Sequence, residues 1–402
     1  MCMEKKKVGI LTYHSVCNFG ANLQTLSTVN FLKRSGMQPV VINWMPDDLD
    51  LYYKKITPDN QYLVHKKFVH DFLPVSTLCR NKFDIADFIK KEDIHDILIG
   101  SDAVFSFVPK LLTFNRRRLR FEKLPSNLIY PNPFWGDFVD LVPDVHIYGM
   151  SVSAQNTNFK YLLPSTKRSI RKRLEKFSYI SVRDSWTKDM LCILSKGTNL
   201  PQITPDPVFA FNQNAENDYL TKDYILEKYR LPENYLLFSL DSPLLTKEWY
   251  TQFENKCSSY GFSCFALART FKDMPSFINN RINIPIPPLD WYYLIKYSKG
   301  YVGELMHPIL VALHNAVPCY SFDKYGFLSG GQVIYNSSKI YHILSTYNLL
   351  SNYKNIVNVD SLPSPLEILN AIINFDTNSC RDISNRKYEE YYKMMNKIIS
   401  LF

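Results

Sequence analysis

The segment VGILTYHSVCNFGANLQTLSTVNFLKRSGMQPVVINW, residues 8–44, decides the fold class. Its apolar start, residues 8–12, predicts a buried strand, and apolar side chains then recur from Leu23 to Leu32 at helical spacing. Gly36 is the kind of residue that commonly ends a helix, and VVINW, residues 40–44, predicts a second strand. Two strands joined through a helix form a βαβ unit, so the sequence predicts a parallel sheet.

The same pattern recurs along the chain and predicts two α/β domains in tandem. Further predicted strands are DILIGSD (96–102), HIYGMSVSA (146–154) and YISVRD (179–184) and, after the break near residues 208–222, YLLFSL (235–240), FSCFALA (262–268), GYVGE (300–304) and VPCYSF (317–322). A chain of 402 residues is also too long for one typical core. We therefore predict domains at 1–215 and 216–375. An amphipathic C-terminal helix, 376–402, is predicted to pack across both, with membrane anchoring as its alternative.

Composition argues against several classes of protein. The net charge is +9, but no RNA-binding aromatic signature, zinc-finger spacing or heptad repeat accompanies it, so we predict no nucleic-acid partner. None of the eight cysteines forms a C-x-x-C pair and no carboxylate cluster resembles a metal site, so no metal is predicted. The sequence shows no signal peptide and no long apolar span, which predicts a cytoplasmic protein. The basic run NRRRLRF, residues 115–121, suits either peripheral contact with the inner face of a membrane or an ordinary solvated surface.

Polar residues follow the predicted strands, at the edge where open parallel sheets bind ligands. Gly20 would let the backbone approach a ligand closely, and the helix around it offers unpaired N–H groups to an anion. In the second domain, His307 precedes Pro308, a residue favoured at the first helical position, which places His307 at a helix start beside the cleft. The candidate site residues are Asn18, Gly20, Gln24, Ser101, Asp102, Ser151, Arg183, Glu304 and His307.

With these residues identified, the chain resembles the polysaccharide pyruvyl transferase family over residues 8–322. The opening segment is similar to the family's strand followed by Asn-Tyr/Phe-Gly-Ala-x-Leu-Gln, and ILIGSDAVFSF is similar to its Gly-Ser-Asp-x-Val-Trp segment, with Phe105 in place of Trp. The later segments IYGMSVSA, YISVRD, ITPDPVF and GELMHPILVALHNAVP resemble family segments in the same order. The chain departs from the family at Leu305, where Arg or Ser is common, and at Pro308, where Gly or Ala is common.

The resemblance implies two Rossmann-like domains facing a cleft, as in GT-B glycosyltransferases. It also implies transfer of pyruvate, as a ketal, from phosphoenolpyruvate to a sugar of a bacterial surface-polysaccharide precursor, with release of phosphate and without a further cofactor. The acceptor in this interpretation is a sugar that a lipid can carry. The implied roles are catalysis by His307 and Asp102, donor binding by Arg183, Glu304 and Ser151, and acceptor binding by Asn18, Gly20, Gln24 and Ser101.

Simpler interpretations of the same residues stay open. Asp102 is a common helix-capping residue, His307 is a residue type that often packs inside a protein, and asparagines often satisfy tight turns. Two other functions fit the same architecture: a glycosyltransferase that uses a nucleotide-sugar, and a glycan-binding relative without catalysis. Leu305 keeps the first of these open, because a donor anion bound by an Arg at that position would need its positive charge from elsewhere in this chain.

Overall fold

In the computed structural model the chain forms two α/β domains, each built on a parallel sheet, as the sequence predicts. Of residues 112–115, 120–123, 327–329 and 332–334 only the backbone is described. The structure describes residues 5–108, 112–115, 120–155, 157–159, 162–198, 200–215, 217–324, 327–329, 332–335, 338–357 and 359–402.

The strands of the described residues run, in chain order, as β1 (Lys7–Leu11), β2 (Gln38–Trp44), β3 (Val75–Cys79), β4 (Asp96–Asp102), β5 (Leu112–Asn115), β6 (Arg120–Lys123), β7 (His146–Val152), β8 (Phe177–Val182), β9 (Gln202–Ile203), β10 (Tyr235–Ser239), β11 (Ser263–Leu267), β12 (Arg281–Ile282), β13 (Tyr301–Gly303), β14 (Cys319–Asp323), β15 (Phe327–Ser329), β16 (Gln332–Ile334) and β17 (Tyr353–Asn355). The α-helices are α1 (Phe19–Arg34), α2 (Asp47–Ile56), α3 (Asp59–Phe72), α4 (Lys82–Glu92), α5 (Pro164–Leu174), α6 (Ser185–Leu194), α7 (Phe211–Asn214), α8 (Lys222–Tyr229), α9 (Lys247–Ser259), α10 (Pro288–Lys296), α11 (Met306–His314), α12 (Lys339–Thr346), α13 (Pro365–Ile373) and α14 (Thr377–Ile399).

The first sheet has seven strands in the order β3-β2-β1-β4-β7-β8-β9, and the second has six in the order β12-β11-β10-β13-β14-β17. All neighbouring strands within these two sheets pair in parallel. The central strands are buried on both faces, because helices cover both sides of a parallel sheet, and they are accordingly apolar along their length. The carboxyl ends of all these strands therefore form one edge in each domain, and polar residues follow them there.

Helix α1 is buried on almost every side. Its sequence has a single apolar face and therefore indicates burial on one side only. Gln24, Ser27 and Thr28 are buried along with its leucines. The helix lies between the first sheet and the second domain, where Phe19 stacks on Trp291 with ring centroids 4.9 Å apart. The hydroxyls of Thr25 and Thr28 donate to carbonyls of the preceding turn, and the hydroxyl of Ser27 donates to the carbonyl of Pro207, which satisfies polar groups that have no access to water. As a result, α1 carries first-domain side chains directly to the second domain.

The C-terminal helix α14 packs across both domains, as the sequence predicts. Tyr391 meets Phe31 of α1 edge to face, with ring centroids 5.7 Å apart. Ser384 donates a hydrogen bond of 2.7 Å to the carbonyl of Leu313 in the second domain. Beyond the end of the helix, the hydroxyl of Tyr148, on β7, donates to the carbonyl of Leu401 at 3.0 Å.

Several local features differ from the sequence-based prediction. Residues 47–72 form α2 and α3, whose mixed polar pattern does not indicate helices. Helix α11 begins at Met306 with Leu305 as its N-cap, so His307 lies inside the first turn and Pro308 follows it rather than opening the helix. Among the described residues no helix is long and apolar enough to cross a membrane. The centre of the basic run NRRRLRF, residues 116–119, lies outside the described residues.

Candidate functional site

The two domains meet where Gly20 of α1 faces His307 of α11. A Cβ atom on Gly20 would lie 2.0 Å from Cγ of His307, 2.2 Å from Cδ2 and 2.3 Å from Nδ1. No real Cβ comes that close to a ring, so the imidazole occupies the space that any other residue at position 20 would fill. The glycine in the opening segment therefore admits a side chain from the other domain.

Gln24, one turn after Gly20, fixes the state of the imidazole. Its Nε2 lies 3.2 Å from Nε2 of His307 and also donates to Oδ2 of Asp206. A carboxylate oxygen can only accept, so the amide NH₂ group must face both partners, and this assigns the amide orientation. Nε2 of His307 is then the acceptor, and the neutral ring carries its proton on Nδ1. Oε1 of Gln24 is buried without a hydrogen-bond partner among the described residues.

Asp206 connects this pair to the first-domain sheet. It lies between Pro205 and Pro207 and caps the short 3-10 helix Pro207–Ala210, with Oδ1 accepting from the N–H of Val208 at 3.0 Å. Its Oδ2 accepts from Gln24 and, at 2.5 Å, from Nη1 of Arg183. The sequence indicates only a turn here. The signal that could have identified this residue is a lone acid between two prolines in an otherwise apolar run.

Arg183 follows β8 and is clamped between two carboxylates. Nη1 contacts Asp206, and Nη2 contacts Oδ1 of Asp102 at 3.0 Å. The arginine is 6% exposed, so water screens these pairs weakly. Burial alone would lower the pKa of Arg183, but Asp206 and Asp102 outweigh it and raise the pKa above the ordinary value. One guanidinium with two carboxylates carries a net charge of −1.

Asp102 completes the chain of contacts at the end of β4. Its φ of 79° lies in the left-handed region, which is uncommon for a residue with a side chain and is often found at functional sites. Burial by itself raises the pKa of Asp102, but Arg183, His307 and Lys339 together outweigh it and lower the pKa to about 2. For His307, burial together with the positive charges of Arg183 and Lys339 lowers the pKa more than Asp102 and Asp206 raise it. The resting site therefore pairs an ionised Asp102 with a neutral imidazole.

Lys339 also belongs to this site, although no sequence pattern selects it. It is the first residue of α12 and is half-buried. Burial, together with the positive charge of Arg183, lowers its pKa to about 8, even though Asp102, Asp184 and Asp206 oppose that shift. No period or motif distinguishes it in the sequence, because its place depends on where α12 packs. Within the described part of the chain, no three His, Cys, Asp or Glu side chains are grouped to hold a metal ion.

Three of the predicted site residues are engaged elsewhere in the first domain. Asn18 is the N-cap of α1, and its Oδ1 accepts from the N–H of Ala21 at 3.2 Å. Ser101 is buried and donates to the carbonyl of Ser151 at 2.8 Å. Ser151 is fully buried, and its hydroxyl lies 2.8 Å from that of Thr204, beneath the C-terminal helix. Their binding roles stay predictions that would require these groups to leave their present partners.

Glu304 lies in a separate group of charges at the end of the second sheet. It forms ion pairs with Arg269 and, at 2.5 Å, with Lys324, and Arg269 also pairs with Asp241 at 3.2 Å. The structure therefore brings together Gly20, Gln24, Asp102, Arg183 and His307, and directs Glu304 to other cations. A donor-binding role for Glu304 stays a prediction, and its charge is already balanced.

Comparison with known proteins agrees with this architecture. The family model described as polysaccharide pyruvyl transferase matches residues 18–323, most of the chain. A comparison with curated proteins gives no match. Among solved structures, one from Listeria monocytogenes described as a UDP-N-acetylglucosamine 2-epimerase aligns at a TM-score of 0.56 and 10% identity, covering 99% of this chain and 97% of that one. The spinosyn forosaminyltransferase SpnP aligns at a TM-score of 0.50 and 10% identity, covering 99% of both chains. At such identities the likeness shows the fold alone, which is the two-domain GT-B arrangement.

Proposed function

The chain belongs to the polysaccharide pyruvyl transferase family, and on that premise we propose that it transfers the pyruvyl group of phosphoenolpyruvate to a sugar as a ketal. The acceptor in this proposal is a unit of a bacterial surface-polysaccharide precursor, which a lipid can carry at the inner face of the membrane. The observation that supports it most is the continuous chain of contacts from Asp102 through Arg183, Asp206 and Gln24 to His307. It joins the carboxyl edge of one sheet to a histidine of the other domain.

The reaction balances without a resident cofactor. A proton adds to the methylene carbon of phosphoenolpyruvate, which becomes the methyl group, and a sugar hydroxyl attacks the neighbouring carbon and loses its proton. The C–O bond to phosphate then breaks and a second hydroxyl attacks the same carbon. Of the two protons lost from the hydroxyls, one replaces the proton delivered to the methylene carbon, and the other leaves with phosphate.

His307 is the proton donor in this proposal. The imidazole is neutral at rest, because burial lowers its pKa and its Nε2 accepts from Gln24. A donor that carries phosphate and carboxylate charges would raise the pKa of His307 by adding negative charge beside it. Protonation would then be linked to the presence of the donor, which limits loss of the acid's proton to water in the empty site.

Asp102 is better suited to hold a sugar hydroxyl than to remove its proton. With a pKa of about 2 it is a weak base at neutral pH, but an ionised carboxylate accepts strong hydrogen bonds from hydroxyl groups. Arg183 keeps it ionised and fixes its position. We propose that Asp102 orients the attacking hydroxyl toward the carbon that His307 activates.

The test uses purified protein, phosphoenolpyruvate and a panel of candidate acceptor sugars. Release of phosphate together with a new ketal methyl signal in the NMR spectrum is the expected result. His307→Ala should abolish both. The control is His70→Ala, which removes a histidine from the exposed face of α3 where the ring is 88% exposed, and it should keep wild-type rates.

Two outcomes would replace this proposal with an alternative from the sequence. Glycosyl transfer from nucleotide-sugars, without consumption of phosphoenolpyruvate, would identify a glycosyltransferase of the same fold. Tight glycan binding that survives His307→Ala, with no turnover of any donor, would identify a binding protein.

A further inference from the structure

We propose that Lys339, and not Arg183, supplies the free positive charge that binds the phosphate or carboxylate group of the donor. This inference rests on the proposed function, since it concerns how that donor is held. It assigns Arg183 to a structural role in positioning Asp102 and Asp206.

Arg183 has little capacity left for a ligand. Its two terminal nitrogens each contact a carboxylate, at 2.5 Å and 3.0 Å. Only Nε remains without a partner among the described residues, and it is buried. An arriving anion would have to compete with both carboxylates and would be repelled by their charge. A guanidinium that is paired with two carboxylates holds those carboxylates in position, so another cation must bind the donor.

The position of Lys339 follows from the way α12 is fixed. Ser338, the N-cap of this helix, donates to Asp323 at the end of β14, so α12 begins at the carboxyl edge of the second sheet. His342 and Ile343, three and four residues after Lys339, line a small cavity together with Arg183 and Asp206. Residues three and four apart share one face of a helix, so Lys339 lies on the face directed at the first-domain carboxylates.

Lys339 also differs from the other cations of the cleft in having no ion pair with the residues that the structure describes. Lys387, which lines the same cavity, pairs with Glu390 at 2.8 Å, and Lys324 pairs with Glu304. Leu305, at the start of the helix that carries His307, contributes no charge. A half-buried ammonium with no carboxylate in direct contact loses hydration without an ion pair to offset the loss, and a bound anion would relieve that cost.

The electrostatics of the site agree with this assignment. Burial lowers the pKa of Lys339 to about 8, so at neutral pH the amine is still mostly protonated. Its positive charge also contributes to lowering the pKa of Asp102 and of His307. An anion between Lys339 and His307 would contact both cations once the imidazole is protonated.

The experiment measures phosphoenolpyruvate binding by calorimetry and donor KM by steady-state kinetics. Lys339→Met should weaken binding by about 10- to 100-fold, the loss expected for one charge-assisted contact, and should raise KM for the donor more than it lowers kcat. Lys339→Arg should restore binding to within a few-fold. The matched control is Lys247→Met. Lys247 is also the first residue of a hydroxyl-capped helix, α9, but it is exposed, and its loss should leave binding unchanged.

The outcomes separate this inference from the proposed function. If the wild type binds and consumes phosphoenolpyruvate and Lys339→Met binds it equally well, the assignment of Lys339 is wrong while the proposed function stands. If the wild type neither binds nor consumes phosphoenolpyruvate in the presence of acceptor, the proposed function fails and this inference fails with it. Thermal melting shows whether each variant is folded, and the rescue by Lys339→Arg excludes a merely structural effect.

Discussion

The contact between Gly20 and His307 makes Gly20→Ala the sharpest test of the site. The added methyl would lie 2.0 Å from Cγ of the imidazole. Because carbon atoms in contact are about 3.5 Å apart, the ring must move by roughly 1.5 Å. A displacement of that size breaks the 3.2 Å contact between the imidazole and Gln24. We expect kcat to fall by about 100-fold, the usual order of loss when a reacting group is misplaced by about 1 Å.

The stability of the Gly20→Ala variant should change much less than its activity. Overpacking costs about 1–3 kcal/mol, but replacing glycine by alanine inside a helix returns about 0.5–1 kcal/mol. Gly20 is the second residue of α1, so both effects apply. We therefore expect the free energy of unfolding to fall by about 1 kcal/mol, measured by urea denaturation. A folded protein with a large loss of activity is the expected combination.

A double variant identifies the cause of that loss. In the His307→Ala background the methyl of Gly20→Ala meets no ring, so its destabilising effect should disappear, and the two changes should be strongly non-additive. The reasoning is refuted if Gly20→Ala keeps kcat/KM within twofold of the wild type, or if it destabilises the protein equally with and without the imidazole.

Three further predictions concern the charges around this contact. Gln24→Glu places a carboxylate beside Nε2 of His307 and should raise its pKa in an NMR titration, whereas Gln24→Met should give no rise. Asp206→Asn leaves Arg183 with one carboxylate, so the free energy of unfolding should fall by about 3 kcal/mol, and an unchanged urea midpoint would contradict the pairing. Asp102 has a folded pKa of about 2, below the unfolded value of about 3.9, so it stabilises the fold above pH 4. About 2 kcal/mol should be lost as pH falls from about 4 to 2, and an Asp102→Asn variant should lack that part of the acid-induced loss.

The sequence predicts the two sheets and much of the site for a physical reason. Apolar strands that alternate with helices form parallel sheets. In such sheets the polar residues that follow the strands all lie at one edge. This brings Asp102 and Arg183 together, 81 positions apart in the chain. Ser101 and Ser151 also lie at strand ends, but their hydroxyls are buried, so their binding roles stay predictions. Spacing along the chain does not indicate which strand ends stay open.

The residues that sequence analysis missed depend on packing between distant elements. A turn between two prolines sets the position of Asp206, and the hydrogen bond from Ser338 that anchors α12 sets the position of Lys339. Neither position has a periodic signal, since each is fixed by a single cap or turn. Gln24 was selected, but as a ligand for a sugar. Its buried contacts with Asp206 and His307 hold the imidazole in place, and its role in binding a sugar stays a prediction.

The balance of charges among the described residues of the site bears on the proposed chemistry. Asp102, Asp206, Arg183 and Lys339 together carry no net charge at neutral pH, and His307 is neutral. A donor with two or three negative charges would make this enclosed group strongly anionic, a state that a site of low dielectric resists. We propose that uptake of a proton by His307 offsets part of that charge and at the same time creates the acid that the proposed reaction needs. In the proposed mechanism, donor binding and protonation of the imidazole are therefore coupled, so that His307 becomes an acid only when a donor is bound.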